Sequence, residues 1–506
     1  MHRLQCSAGE ESEQKALPSL TDDGIPASSY EAVALNGLDT MGVEIAPENV
    51  PRLISWQEMK LQCSLAWPLI LSNILYFSLQ LVSTVFVGRI GELEFAGASV
   101  AYSFVVITGH SILIGLNCAL ETLCGQANGA GHHKMVGIFM QRGMTVLTVV
   151  AMPVAVLWIF TEPLLRGLGQ DPDIASKAGD YTKWLIPSLF AYAFHLPLSK
   201  FLQAQSLVIP LFAAFGAALI FHVPLCWLLV FKSSLGFVGA ALASSISFWF
   251  IVVLLATYVL FSPACAKCRA SFSLQAFQDL KGLLKLAVPS ASMVCLEWWY
   301  YEVLVVVSGF LSNPKLNTAI IGICVSTETM LYMIPFGLST SISIRVSNAL
   351  GAGQPQLARR AIYNVAVLGL TEALLVALVL VSARNVWGHI YSNAQEVINA
   401  VADVIPLLAT SVALDSLQAA FSGVIRGAGW QRVGAVTNLC CFYVAGLPIG
   451  CLLAFMAHRQ AKGLWTGVVV AVSIQASAFT GVIHLTNWEA EVSKAAARVS
   501  APIILI

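Results

Sequence analysis

The amino-acid sequence predicts an all-α membrane protein, with twelve transmembrane helices in two six-helix lobes related by an internal repeat. The first observation is composition: 57% of the 506 residues are hydrophobic and 11% are charged, against about 25% charged residues in soluble globular proteins. The second is the length of the apolar runs, which match the roughly 20 residues that a helix needs to cross a bilayer. Because lipid offers the backbone no hydrogen-bond partner, each run is expected to be helical.

The third observation is a repeat in which six features of the first half recur in the same order in the second. Each copy holds six spans, so both copies enter the membrane from the same side and form parallel repeats. Transporters are often built from such repeats, with the substrate bound between them, and a transporter is therefore predicted. The matched features are Pro68 with Pro289, Gly88 with Gly309, Ala98 with Ala319, 127–131 with 349–353, Pro224 with Pro448, and Gly239 with Gly467.

Twelve spans place both termini on one side of the membrane. Lys and Arg are more frequent in the loops on that side, which predicts that both termini are cytosolic. Ser55 and Glu58 have the spacing of a capping box at the start of the first span. The predicted spans are 62–87, 94–118, 137–160, 181–204, 208–231, 237–261, 283–310, 317–342, 358–382, 397–423, 431–456 and 464–485.

The spans divide the chain into five regions. Residues 1–54 are acidic and are interrupted by Pro and Gly, which predicts a disordered cytosolic tail, and they do not resemble a secretory signal peptide. The N-terminal lobe is predicted over 55–261, a cytosolic loop over 262–282, the C-terminal lobe over 283–485 and a short tail over 486–506.

Acidic residues inside apolar spans are costly, so each needs a partner or a function. With these boundaries all of them fall in the second half, which predicts that the ion-handling machinery lies mainly in the C-terminal lobe. Glu328 is equally compatible with a site and with a structural role, whereas structural or interfacial roles are expected for Glu372 and Asp403. The intramembrane acids are Glu297, Glu302, Glu328, Glu372, Asp403 and Asp415.

Glu297 is the first candidate for a proton-binding carboxyl, because it lies in the middle of its span with the Tyr301 hydroxyl one turn away. Asp415 is the second candidate, and the two acids are close enough in this interpretation to share or relay a proton. Glu302 is a weaker candidate, since five residues rotate it by about 140° from Glu297. Asp415 belongs to a polar stripe at helical spacing, formed by Ser411, Asp415, Gln418 and Ser422.

Aromatic side chains near these acids are candidates for substrate binding. Trp298, Tyr301 and Tyr332, with Gln418 from the polar stripe, are placed in this group, because aromatic faces attract organic cations by about 0.5–2 kcal/mol. For most of the aromatic residues near these acids, packing between helices is the stronger explanation. Pro335 removes a backbone donor inside the eighth span and predicts a kink there.

Other motifs favour neither an enzyme nor a cofactor. Cys265-x-x-Cys268 has the spacing of a zinc or redox pair but has no second pair nearby. The glycine-rich segments 127–131 and 349–353 are not followed by Lys-Ser/Thr, so they are predicted to serve tight loop turns and close helix approach rather than to be phosphate loops. Nucleophile–base pairs of the hydrolase type are absent from the sequence, and the zero net charge suggests no nucleic-acid partner.

Four motifs, in order and at fitting distances, resemble those of multidrug and toxic compound extrusion (MATE) transporters of the plant-type branch, and the resemblance covers about 55–485. Four residues depart from the usual pattern of that branch: Asn128, His195, Glu328 and Ala349. The motifs are 120–127 (LETLCGQA), 295–299 (CLEWW), 345–353 (RVSNALGAG) and 423–431 (GVIRGAGWQ).

The resemblance implies a secondary active transporter with a central cavity between its lobes. Such a protein exports small organic compounds such as toxins, xenobiotics and secondary metabolites, often cationic, in exchange for protons, so that the proton gradient replaces any cofactor. It also implies a multi-pass protein of the plasma membrane or the vacuolar membrane, and a monomer is expected. Glu297 and Asp415 match acids of the family. The alternatives are Na⁺ coupling, a channel for anions or organic acids, and a membrane enzyme or lipid flippase.

Overall fold

A computed structural model describes residues 54–271 and 273–500, and the regular structure of these residues is helical. Twelve of the described helices are long and apolar enough to cross a membrane, which confirms the twelve predicted spans. The predicted N-terminal tail falls outside the described residues, apart from Ile54.

Nine of the twelve spanning helices are longer than the predicted spans. A further helix, which we call α13 (Trp488–Ser500), lies within the predicted C-terminal tail. The spanning helices are α1 (Trp56–Gly88), α2 (Glu92–Gly129), α3 (His133–Ile159), α4 (Pro172–Ala204), α5 (Ile209–Lys232), α6 (Val238–Phe261), α7 (Leu280–Ser308), α8 (Pro314–Gly351), α9 (Pro355–Ser382), α10 (Gln395–Ala428), α11 (Gln431–Met456) and α12 (Gln460–Leu485).

Several helix ends follow from local sequence. Asp171 caps α4 by accepting hydrogen bonds from the backbone N–H groups of residues 173 and 174 at 3.0 and 3.2 Å, and Pro172 occupies the first turn, where a missing N–H costs nothing. Asn313 and Pro314 begin α8 in the same way. At the end of α10, Gly429 adopts a left-handed φ of 83° that stops the helix.

Two predictions about helix ends were wrong. The predicted capping box is absent, because the Ser55 side chain makes no capping hydrogen bond and Glu58 instead binds Arg345 of α8 at 2.8 and 2.9 Å. The second span does not end before Glu121, since α2 continues to Gly129. A buried acid therefore lies in the N-terminal half too, where its ion pairs compensate the cost of burial.

Each half of the chain forms a lobe with its own apolar core, as the repeat predicts. The large buried side chains Trp158, Tyr192 and Phe201 belong to the core of α1–α6. Tyr300 and Trp465 belong to the core built from α7–α12. Smaller clusters join the two lobes, for example Ala66 of α1 with Leu338 of α8.

The lobes meet where α2, α4, α8 and α10 end, close to the start of α1 and to α13, and we call this region the basal face. The ends of α2 and α8 approach each other closely enough to require glycine. A Cβ added at Gly129 would collide with the backbone of Asn348, and one added at Gly351 would collide with the backbone of Gln126. Close helix approach therefore explains the two repeated glycine-rich segments, whose first residues are helical rather than turns.

Candidate functional site

A small cavity lies between the lobes, where α2 faces α7, α8 and α10. Its lining combines one carboxylate, one guanidinium, aromatic faces and apolar side chains, which is the surface expected around an organic ion. The lining residues are Ile114 and Cys118 of α2, Met293, Val294, Glu297 and Trp298 of α7, Tyr332 and Phe336 of α8, and Ser422 and Arg426 of α10.

Glu297 is held by amide groups of the C-terminal lobe. Its carboxylate is 8% exposed and accepts hydrogen bonds from Asn438 Nδ2 at 3.3 Å and from Gln418 Nε2 at 3.5 Å. Asn438 is itself fixed, since it donates to the Met293 carbonyl at 2.8 Å and accepts from Gln475 at 2.7 Å. Among the described residues, the side chains that donate to this carboxylate are neutral amides rather than cations.

A second group of buried acids lies deeper in the same lobe. Asp415 is close enough to Glu297, Glu328 and Glu372 to interact with them electrostatically. Ser411 donates a hydrogen bond to Glu328 at 3.1 Å, while the other oxygen of Glu328 is buried without a partner among the described residues. Acids this close together titrate as a group rather than individually.

Some of the other predicted site residues line the cavity and some lie behind its wall. Trp298 and Tyr332 line the cavity. Tyr301 does not, but its hydroxyl is near enough to Glu297, Asp415 and Glu328 to interact with all three. Gln418 is fully buried behind Glu297 rather than facing the cavity.

Two further predicted residues, Glu302 and Pro335, lie away from Glu297 and do not line the cavity. Glu302 is half-buried and faces Tyr102 of the N-terminal lobe, and it is not brought next to Glu297. Pro335 is buried inside α8, which continues as a helix on both sides of it. The roles of Glu302 in coupling and of Pro335 in bending stay predictions.

Sequence reasoning missed an ion-pair network that begins at the edge of the cavity. The Arg426 guanidinium donates to Glu121 Oε2 at 3.0 Å across the two lobes. Lys200 of α4 donates to the other oxygen of Glu121 at 2.7 Å, and the Ser343 hydroxyl of α8 donates to Oε2 at 2.6 Å. One signal was available, because Arg426 continues the polar stripe of α10 by four residues beyond Ser422.

The Cys265-x-x-Cys268 pair lies in the loop between the lobes, and both side chains are buried. Burial raises the pKa of the Cys268 thiol to about 12, so in the metal-free protein it is a thiol at neutral pH. Within 54–271 and 273–500 no group of three potential metal ligands occurs.

Comparison with known proteins agrees with this architecture. The MatE family model matches residues 68–228 and 289–452, one match in each lobe. The chain is 48% identical to Protein DETOXIFICATION 16 of Arabidopsis thaliana over 88% of its own length and 91% of the relative. It is 46% identical to Protein DETOXIFICATION 17 of the same plant, over 88% and 93% of the two chains.

Solved structures share the fold. The crystal structure of the eukaryotic MATE transporter AtDTX14 superposes with a TM-score of 0.85 at 42% identity, covering 88% of this chain and 99% of that one. The Vibrio cholerae MATE transporter VcmN in its bent form has the same fold at 19% identity, with a TM-score of 0.72 over 88% and 98% of the two chains. The chain is therefore a membrane transporter rather than an enzyme, and it belongs to the MATE family.

Proposed function

We propose that this transporter exports small organic compounds from the cytosol in exchange for protons. The observation that carries the proposal is the position of Glu297, a buried carboxyl in the wall of the cavity between the lobes. A proton and an organic cation compete for one carboxylate there, and this competition is the simplest form of exchange. The DETOXIFICATION names of the plant relatives support the export of harmful compounds.

The exchange requires the cavity to open to each side in turn. In this proposal the basal face and both termini are cytosolic, and the region 55–261 moves against the region 283–485. When Glu297 is protonated, its affinity for a cationic substrate falls and the substrate is released. When Glu297 is ionised on the cytosolic side, it binds the next substrate. The membrane that houses the exchange is the plasma membrane or the vacuolar membrane.

Asp415 is the second coupling residue in this proposal, since it interacts with Glu297 from within the same lobe. Tyr301 lies among the acids, where its hydroxyl can pass a proton between them. Glu302 is assigned a weaker coupling role because its neighbour is Tyr102 of the other lobe. The proposal needs no cofactor and one copy of the chain.

In this proposal, residues of the cavity wall contact the substrate. Trp298 and Tyr332 present aromatic faces beside Glu297, and a desolvated cation–π contact contributes roughly 2 kcal/mol. Tyr332 is stacked on Phe336 with ring centroids 5.7 Å apart, which widens the aromatic surface. Gln418 acts through its hydrogen bond to Glu297, and bending of α8 at Pro335 would change the width of the cavity.

The test uses the purified full-length protein in vesicles, with an imposed pH gradient and a fluorescent organic cation. The expected result is movement driven by the gradient and abolished by a protonophore. Replacing Glu297→Gln keeps the size of the side chain but removes its charge, and coupled transport should fall at least about tenfold, the effect of 1.4 kcal/mol.

The matched control is Asp403→Asn, because this acid is 68% exposed and is paired with Lys462 at the protein surface. This variant should transport like the parent protein. Coupled transport that persists in Glu297→Gln would contradict the proposal. Transport that follows a Na⁺ gradient, and stops when K⁺ replaces Na⁺, would instead identify Na⁺ as the coupling ion.

A further inference from the structure

Arg426 stands between the cavity and the contact that joins the lobes. Its side chain is 4% exposed, and it lines the same cavity as Glu297. Its Nε atom donates to Glu121 of the opposite lobe, while its two other nitrogens donate to Ser422 at 3.0 Å and to Ser339 at 2.9 Å. One guanidinium is thus shared between the proposed proton site and the basal face.

The backbone of Arg426 joins the lobes as well. Thr122 of α2 donates its hydroxyl to the Arg426 carbonyl at 2.5 Å, and Gln126 of α2 donates to the Gly427 carbonyl at 3.3 Å. The end of α10 therefore cannot move relative to α2 without breaking both side-chain and backbone bonds. Any opening of the basal face has to release Arg426 from Glu121.

The charges in this region form an alternating series. Lys200 and Arg426 are cations, Glu121 lies between them, and Glu297 lies on the cavity side of Arg426. When Glu297 is ionised, two positive and two negative charges balance. When Glu297 gains a proton, one positive charge is left over in a buried, water-poor environment. An uncompensated buried charge is strongly destabilising.

The titratable and charged groups that face this series come from several helices. None of them supplies a further anion directly to Arg426, because Asp415 lies behind Glu297 and does not line the cavity. The facing groups are Cys118 of α2, Tyr301 of α7, Tyr332 of α8, Asp415 of α10, and Glu491 and Arg498 of α13, which pair with each other.

We propose that Arg426 is the coupling residue that transmits the protonation state of Glu297 to the basal face, a role that rests on the proposed proton exchange. In the protein without bound substrate, the closed basal face needs the Glu297 charge to balance Arg426. Protonation of Glu297 from the cavity side unbalances the buried series, so the lobes separate at the basal face and Arg426 and Lys200 gain water. This is the direction that exchange demands, since the proton-loaded protein then opens towards the side where the proton leaves.

The experiment measures the distance between the lobes at the basal face as a function of pH. Spin labels are placed at Lys134 in the first turn of α3 and at Gln354 between α8 and α9, and both residues are exposed. The exposed Cys63 and Cys440 are replaced by serine so that they do not take up label. Electron–electron resonance in lipid discs should show a longer label separation at acidic pH than at alkaline pH. In Glu297→Gln the pH response should be lost.

The decisive variant is Arg426→Met, which removes the cation that needs balancing, so acidification should no longer lengthen the label distance. Arg426→Lys keeps the charge and should restore the response. The matched control is Arg345→Met, which breaks the other ion pair between the lobes, with Glu58. That variant should loosen the basal face at every pH and still respond to acid.

If Arg426→Met does not fold, Glu121→Gln tests the same idea, because two cations facing one ionised Glu297 should open the basal face even at alkaline pH. A parental pH response in Arg426→Met, or a closed basal face with parental response in Glu121→Gln, overturns the role of Arg426. If coupled transport is lost in Glu297→Gln while Arg426→Met responds normally, only this inference fails. Unchanged coupled transport in Glu297→Gln defeats the proton site itself.

Discussion

At the scale of single residues, the support of Glu297 depends on amides from three different helices. Gln418 of α10 and Asn438 of α11 each donate to the carboxylate, and Gln475 of α12 donates to Asn438. Amides have no charge to lose, so they hold the carboxyl in place in both of its protonation states. A lysine or arginine bonded directly to it would instead keep it permanently ionised.

The two loop cysteines lead to a prediction about reactivity. The Cys268 thiol, whose pKa burial raises to about 12, and the buried Cys265 should resist alkylation in the folded protein, because the reactive species is the thiolate. Treatment with N-ethylmaleimide at pH 8, followed by peptide mass spectrometry, should leave both unmodified until the protein is unfolded in detergent. Rapid modification of either one in the folded protein would show that the loop leaves its position against the N-terminal lobe.

At the scale of helices, α7 is hydrogen-bonded to an irregular turn of α2. Residues 106–110 of α2 form a π-helical segment, in which the usual hydrogen-bond pattern is interrupted. Trp299 of α7 donates its indole N–H to the Ile107 carbonyl at 3.1 Å and to the Ser111 hydroxyl at 3.2 Å. The contact attaches the helix that carries Glu297 to the opposite lobe and gives Trp299 a structural role.

The α13 helix is docked at the basal face by its apolar side. Trp488 is 3% exposed and packs against Trp430 with ring centroids 5.4 Å apart. Glu491 accepts a hydrogen bond from the Trp430 indole at 2.9 Å. Arg498 donates to the Ala428 carbonyl at 3.0 Å and to Gln126 of the other lobe at 3.3 Å. The helix thus contacts both lobes beside the end of α10.

This docking predicts a loss of stability on truncating Trp488. The Trp488→Ala variant should be destabilised by about 3–5 kcal/mol, the usual cost of removing a buried aromatic side chain, and its melting temperature in detergent should fall clearly. Trp56→Ala serves as the control, since Trp56 is 68% exposed at the start of α1. Equal melting temperatures for Trp488→Ala and the parent protein would mean that α13 does not contribute to the folded state.

At the scale of the whole molecule, residues related by the internal repeat meet at the basal face. Glu121 and Ser343, 222 residues apart, are hydrogen-bonded to each other. Close to this pair, Asn128 donates to the side chain of Asn348 at 2.8 Å. Both asparagines also donate to the Ala204 carbonyl. The repeat axis therefore passes through the seam that must open if the lobes rock against each other.

A cross-link at this seam should block transport. In a Cys268→Ser background, which removes the native thiol 3.8 Å from Asn128, the pair Asn128→Cys and Asn348→Cys is expected to form a disulfide under mild oxidation. Transport should then stop, and a reductant should restore it, because the lobes can no longer separate at the basal face. Each single cysteine variant should be unaffected by the oxidant, and full transport by the cross-linked protein would exclude opening at this seam.

The amino-acid sequence by itself determined that the chain lies in lipid, that its regular elements are helices, and that these helices form two repeated lobes. Runs of apolar residues allow only helices in lipid, so twelve spans and two repeated lobes followed from composition, run length and the six matched features. The choice of Glu297 as a candidate site also followed from the sequence, because an intramembrane carboxylate is costly wherever its helix packs. These properties depend on the chain and the bilayer rather than on contacts between distant residues.

The tertiary structure alone decided which polar residues work together. Glu121, assigned by hydropathy to a position outside the second span, is inside α2 because Lys200, Ser343 and Arg426 from three other helices compensate its charge. For the same reason Glu58 does not cap α1 as predicted, since its carboxylate forms an ion pair with Arg345 instead. Hydropathy along the chain measures only the cost of burying a charge, whereas the ion pairs that offset this cost form between residues 79, 287 and 305 positions apart.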